Sequence, residues 1–159
     1  MLNDRVIPRV LIVDDERLIA DTLALILSQR GFAATAVYSG EKAVETASVL
    51  RPDILITDVV MDGMTGIEAA IRISEAVPSC RVLLFSGNAA TEDLVYDAEA
   101  EGHSFERLAK PIPPQVLIDH LRACAGRGSK LNKADSHTVQ LSMMADLSGI
   151  SPHRRCNLL

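Results

Sequence analysis

Val10-Leu11-Ile12-Val13-Asp14-Asp15-Glu16 is the stretch that decides the fold. Four apolar residues in a row, without alternation, read as a strand covered on both faces, the habit of parallel sheets. The abrupt change to acids at Asp14 marks the strand's carboxyl end. Similar short runs follow at regular spacing: Ala33 to Val37, Ile54-Leu55-Ile56, Val82-Leu83-Leu84-Phe85 and a broken last run from Phe105 to Ala109.

Segments with helical spacing separate these runs. Arg17 to Arg30 carries Ile19, Leu23, Ile26 and Leu27 on one face and stops at Gly31, a residue suited to a helix C-terminus. Glu41 to Leu50 repeats Ala43, Val44 and Ala47 and ends before Pro52. Thr65-Gly66-Ile67-Glu68 reads as a capping box opening a third helix. Glu92 to Glu101 is acidic, weakly amphipathic and stops at Gly102. Pro113 or Pro114 starts a last helix that turns Leu117, Leu121 and Cys124 inward. Strands alternating with helices give an α/β class with a parallel sheet and right-handed crossovers. Such sheets bind ligands beyond the carboxyl ends of their strands, where strand order reverses.

The pattern fails after Ala125. Gly126-Arg127-Gly128-Ser129 reads as a linker, so residues 1–125 form one domain and 126–159 a flexible or partly helical tail, in which Val139, Leu141, Met143, Met144 and Leu147 suit a short helix. No output domain of known kind fits in that tail, so the chain reads as stand-alone.

The bulk properties narrow the function. The chain has 159 residues, net charge −5 and no Trp, so the core is aliphatic. The tail is net positive and the body correspondingly more acidic, which argues against direct nucleic-acid binding. The longest apolar runs are too short to cross a membrane, and Met1 to Pro8 lacks a signal core. Cys80, Cys124 and Cys156 are scattered and odd in number, and read as reduced thiols of a cytoplasmic protein. No Cys/His set shows zinc spacing, and His103, His120, His137 and His153 are placed at the surface.

The residues that follow the strands carry the chemistry. Asp14 and Asp15 follow the first, Asp58 the third, Ser86 the fourth and Lys110 the fifth. Each alone has an ordinary explanation as a helix cap, a turn or a surface charge. Together they place acids at one sheet rim, where two carboxylates about 4 Å apart repel by roughly 4 kcal/mol at an effective dielectric of 20. A hard divalent cation relieves that repulsion, and Mg²⁺ is the usual occupant of a small carboxylate-lined site. Mg²⁺ beside a lysine and a free carboxylate suits phosphoryl transfer, with Asp58 as the nucleophile.

These pieces, with Pro52-Asp53-Ile54-Leu55-Ile56-Thr57-Asp58-Val59-Val60-Met61, Gly63-Met64-Thr65-Gly66, Leu84-Phe85-Ser86-Gly87 and Lys110-Pro111, closely resemble the receiver domain of two-component response regulators. The resemblance implies a flavodoxin-like, doubly wound sheet of five strands in the order 2-1-3-4-5 with five helices, the order the flavodoxin and chemotaxis examples of such folds share. It implies Asp58 as the phosphoacceptor, Asp15 as a direct Mg²⁺ ligand, Asp14 acting partly through water and the Val60 backbone carbonyl completing the protein ligands. Ser86 would bond to a phosphoryl oxygen and Lys110 would pair with it. The implied donor is a phosphohistidine on a sensor histidine kinase or a histidine phosphotransfer protein. The implied output is a phosphorylation-dependent change in the face built from the fourth helix, fifth strand and fifth helix, which binds a downstream protein or a second copy. The implied protein is a switch that also loses its own phosphate, not a conventional enzyme.

Two positions depart from the family pattern. Asp62 stands where proline is common, which should loosen the loop after Asp58. Arg107 stands where Tyr or Phe is usual, three residues before the lysine, and Phe105 is the nearest aromatic. Arg107 could then alternate between solvent and an acid on the Glu92 to Glu101 helix. A Mg²⁺-dependent phosphatase of the haloacid-dehalogenase type is the alternative, but it wants Asp-x-Asp after the first strand, not Asp14-Asp15. A flavin or nucleotide domain wants a Gly- or Ser/Thr-rich loop there.

Overall fold

The computed structural model describes residues 6–87 and 90–126. Five strands alternate with five helices: β1 (Arg9–Val13), α1 (Arg17–Gln29), β2 (Ala33–Val37), α2 (Gly40–Leu50), β3 (Ile54–Asp58), α3 (Gly66–Ala76), β4 (Arg81–Ser86), α4 (Ala90–Ala100), β5 (Glu106–Ala109) and α5 (Pro114–Gly126). The sheet runs β2-β1-β3-β4-β5. Every pairing is parallel, with Val10 beside Ile54, Leu55 beside Val82 and Phe85 beside Leu108. The expected class and strand order are both observed.

The unbroken apolar runs are explained by two cores. Successive side chains of a strand point to opposite faces. Leu11, Val13, Leu55, Val82 and Leu84 therefore pack with Ala43 and Ala47 of α2, Ile67, Ala70 and Ile73 of α3, and Val95 and Ala98 of α4. Val10, Ile12, Ile54, Ile56, Leu83 and Phe85 pack with Ala20 and Leu27 of α1 and Leu117, Ile118, Leu121 and Cys124 of α5. A polar residue in the middle of β1 or β3 would be buried on whichever face it occupied.

The caps anticipated from sequence form. Thr65 and Glu68 make the reciprocal capping box of α3. Gly31 adopts φ +91° and closes α1 with Phe32 N–H on Leu27 O and Gly31 N–H on Ser28 O, the paired bonds of a left-handed helix stop. Two placements differ from expectation. Phe105 lies just outside β5, half-buried against the core that holds Val95, with the His103 ring stacked on it. His103 and His120 are half-buried rather than superficial. His137, His153, Cys156 and the tail helix expected near Met143 lie outside the described residues.

Gly66 has a role the sequence did not announce. A side-chain carbon there would come 1.7 Å from the Asp58 carbonyl oxygen and 2.7 Å from Thr57 Oγ1. The first turn of α3 thus rests directly on the end of β3, and Gly66 N–H donates to Val59 O at 3.0 Å. Gly66→Ala must push α3 off the strand and is expected to cost about 2–3 kcal/mol, the scale of an overpacked core. Urea unfolding should show a lower midpoint at unchanged slope; an unchanged midpoint would mean the contact is not fixed.

Candidate functional site

β1 and β3 lie at the centre of the sheet, and each ends on an acid or immediately before one. Asp14 follows Val13, is only 3% exposed, and its Oδ1 accepts the Glu16 N–H at 2.9 Å. That bond fixes the turn into α1, whose N-cap Glu16 makes no side-chain cap of its own. Asp58 closes β3, and its Oδ1 accepts the Val59 N–H at 2.9 Å. Asp15 points outward, and its Oδ2 lies 3.4 Å from the Asp62 N–H. A proline at position 62 could not make that contact, so the departure expected to loosen this loop also gives it a tie to Asp15.

The carboxylates of Asp14, Asp15 and Asp58 offer oxygens that all lie within 4.8 Å of one another. Lys110, from the residue after β5, enters from the other side. Its Nζ lies 3.3 Å from Asp14 Oδ2 and 3.3 Å from Asp58 Oδ1. Lys110 N–H donates to Ser86 O, which holds the β5 end beside the β4 end, and the Lys110-Pro111 peptide is cis. Gly87 has no side chain, and Lys110 packs over the space that its Cβ would fill.

Three carboxylates against one ammonium leave the site negative. Burial pushes the Asp58 carboxyl above its usual range, opposed chiefly by the charge and hydrogen bond of Lys110 and reinforced by the charge of Asp14. The donor set is all hard oxygen, partly buried and open on the Asp15 side, and it fits a small hard cation such as Mg²⁺. Val60 follows two residues after Asp58, on the exposed loop beside this cluster.

Ser86 ends β4, and its hydroxyl is hydrogen-bonded to that of Thr91, a buried residue in the first turn of α4. Thr91 was not singled out from the sequence, because only the fold brings it to Ser86. On the far side of α4, Arg107 Nη2 lies 4.0 Å from Glu99 Oε1. The two residues line a cavity of about 330 Å³ together with Glu92, Asp93 and Tyr96. The acid foreseen as a partner for Arg107 on the fourth helix is Glu99.

The structure thus brings together Asp14, Asp15, Asp58 and Lys110, and sets Ser86 at the adjoining strand end. A second cluster escaped the sequence reading. Glu106, His120 and Cys124 offer donor atoms within 4.8 Å of one another. His120 and Cys124 are four apart on α5, a spacing that puts them on one helix face, and this was the signal available. Glu106 reaches them only through the fold.

Comparison with known proteins gives the family of the fold. A family model for the response regulator receiver domain matches residues 10–122. The chain is similar to the DNA-binding response regulator MtrA of Mycolicibacterium paratuberculosis, 27% identical over 139 residues, covering 87% of this chain and 58% of that relative. The chain therefore spans little more than half the length of that relative. Among solved structures it resembles the two component transcriptional regulator AraC of Clostridium phytofermentans, with TM-score 0.63 and 31% identity over 75% of this chain and 92% of the other. It also resembles the chemotaxis response regulator CheY4 of Vibrio cholerae, with TM-score 0.63 and 28% identity over 74% of this chain and 98% of the other.

The raised carboxyl of Asp58 makes a prediction with a definite sign. A carboxyl held above its unfolded value stabilises the fold while protonated; that contribution is complete below the unfolded value and is lost as pH rises through the folded one. Asp58→Asn cannot ionise. In chelator, it is expected to unfold at a higher temperature than the parent near neutral pH. The advantage should vanish below about pH 4, where the carboxyl is neutral in both states. A lower Tm for the variant at neutral pH would contradict this electrostatic reading.

Proposed function

The chain belongs to the response regulator receiver domain family of two-component systems, and from that premise we propose that Asp58 accepts a phosphoryl group from a phosphohistidine and thereby switches a protein-binding face. The observation that carries this is the gathering of Asp14, Asp15, Asp58 and Lys110 at one rim of the sheet. Asp14, Asp15, Asp58 and the Val60 carbonyl would hold Mg²⁺, which supplies neutralisation of the charge that develops on the phosphoryl oxygens.

The remaining work falls to the chain's own groups. Asp58 Oδ1 accepts from Val59 N–H and lies against Lys110, so Oδ2 is the oxygen left to attack. A new O–P bond forms at Asp58 as the N–P bond of the donor imidazole breaks, and the product is an acyl phosphate. Lys110 Nζ leaves the Asp14 and Asp58 carboxylates to pair with a phosphoryl oxygen. The Ser86 hydroxyl, at the neighbouring strand end, donates to another. Phosphorylation adds charge and strong acceptor oxygens at the root of α4 and β5, and biases the surface formed by α4, β5 and α5 toward one of two arrangements.

The donor is a sensor histidine kinase or a histidine phosphotransfer protein in the cytoplasm. The recipient of the signal is a protein that reads this face, or a second copy of the chain. The acidic groove of Glu92, Asp93 and Glu99 beside exposed Tyr96 favours a protein partner over a nucleic acid. The adjacency of Asp14 and Asp15 and the position of Val60, two residues after Asp58, leave the general acid of a haloacid-dehalogenase phosphatase without a counterpart.

Incubation with acetyl phosphate and Mg²⁺, followed by intact mass, tests the assignment. The parent is expected to gain the mass of one phosphoryl group, and Asp58→Asn to gain none. A gain of equal size in the variant would place the acceptor elsewhere.

A further inference from the structure

We propose that Glu106, His120 and Cys124 form a second cation site, for a borderline-soft transition ion of which Zn²⁺ is the natural example, on the opposite rim of the sheet from Asp58. Glu106 is the first residue of β5, so it lies at the amino end of that strand, whereas Asp58 and Lys110 lie at carboxyl ends. α5 runs back antiparallel to the strands, and its second half carries His120 and Cys124 to the same amino rim.

The arrangement has the features of a ligand set. The donors are one carboxylate, one imidazole and one thiol, with usable atoms within 4.8 Å of one another. This is the mixed N, S and O chemistry that Zn²⁺ accepts and Mg²⁺ does not. His120 Nε2 is shut off from solvent and sits 2.9 Å from Glu106 Oε1, within ion-pair distance, yet it makes no hydrogen bond. A shielded ring nitrogen beside a carboxylate and a thiol, without an aligned partner, is oriented for an ion that all three share.

The support behind each ligand is built in. Cys124 is buried in the core with Leu117 and Leu121. Arg81 Nη1 donates to the Cys124 carbonyl oxygen at 3.4 Å, which holds the last turn of α5 against the start of β4. Glu106 is exposed and His120 half-buried, so an ion has a way in and water can take the fourth position. Binding the ion transfers the Cys124 thiol proton to solvent, while the neutral imidazole and the carboxylate bind without further change. The bound ion ties the edge strand β5 to α5, two of the three elements of the proposed signalling face.

Co²⁺ is a spectroscopic stand-in for Zn²⁺ and tests this independently of Asp58. The full chain is titrated with Co²⁺ in saturating Mg²⁺, which keeps the carboxylate cluster filled, with a reductant that is not a thiol. A thiolate-to-cobalt charge-transfer band that saturates at one equivalent is expected, and Zn²⁺ should abolish it. Cys80→Ser should leave the band intact and Cys124→Ser should remove it. Glu106→Gln alters only an exposed side chain and so keeps the fold; it should weaken binding by no less than the roughly tenfold that even outer-shell partners of a metal cost. A band that survives Cys124→Ser, an unchanged affinity in Glu106→Gln, or no band in the parent would each overturn the proposal. Loss of phosphorylation in Asp58→Asn bears on the other rim only.

Discussion

One electrostatic constraint organises the carboxyl rim: Asp14, Asp15 and Asp58 converge there, with Lys110 as the only cation in contact with Asp14 and Asp58 among the described residues. Two carboxylates at about 4 Å repel by roughly 4 kcal/mol at an effective dielectric of 20, and one ammonium cannot balance three of them. Burial adds to the cost at Asp58 and raises its proton affinity. A site of this kind stores repulsion that either a cation or a proton relieves. It is therefore prepared to bind positive charge and, on the proposed function, to respond sharply when a phosphoryl group brings more negative charge. Lys110 has two carboxylates to choose between already, and its place is set by whichever anion wins.

The rest of the fold holds those charges together against their repulsion. β1 and β3 are adjacent and central, so Val13 and Thr57 are paired in register and Asp14 and Asp58 follow side by side. Gly66 lets α3 settle on the Asp58 carbonyl, and Glu41 of α2 accepts the Met64 N–H at 3.0 Å. A hydrogen bond to Glu41's own backbone, together with that from Met64, holds the Glu41 carboxyl below its usual range. The loop from β3 to α3 is thus fastened from two sides. Two hydrophobic cores, one on each face of the sheet, supply the stability that offsets a rim of like charges.

Much of this was legible in the sequence because buried parallel strands advertise themselves. Val10 to Val13, Ile54 to Ile56 and Val82 to Phe85 are apolar at every position, and Asp14, Asp58 and Ser86 mark the rim just beyond them. The capping box at Thr65 and the glycines that close α1 and α4 are local chemistry and were equally readable. What could not be read depends on contacts between distant segments. Gly66 resembles any helix-opening glycine until β3 is seen beneath it. Thr91 meets Ser86 only after α4 packs. The apolar pattern puts Phe105 on one strand with Arg107, but the strand begins at Glu106, and Phe105 instead packs against the core that holds Val95 of α4. His120 and Cys124 had helical spacing, and Glu106 was needed to give that spacing a meaning.

Arg107 limits how the signal can travel on the proposed function. Its contact with Glu99 is 4.0 Å long and about half exposed on both sides. Such pairs contribute at most about 1 kcal/mol, whereas moving a two-state equilibrium from one side to the other takes several kcal/mol. The guanidinium therefore tunes the face and cannot by itself set its state. The stronger connection runs through Ser86 and Thr91, where the strand end that borders the phosphoryl site is hydrogen-bonded to the first turn of α4. A phosphoryl oxygen that recruits the Ser86 hydroxyl competes with Thr91 for it. The first turn of α4 is then released from its bond to the β4 end, and a hydrogen bond of that kind contributes about 0.5–1.5 kcal/mol. That change adds to the contribution of Arg107, because Glu99 is carried on the same helix as Thr91.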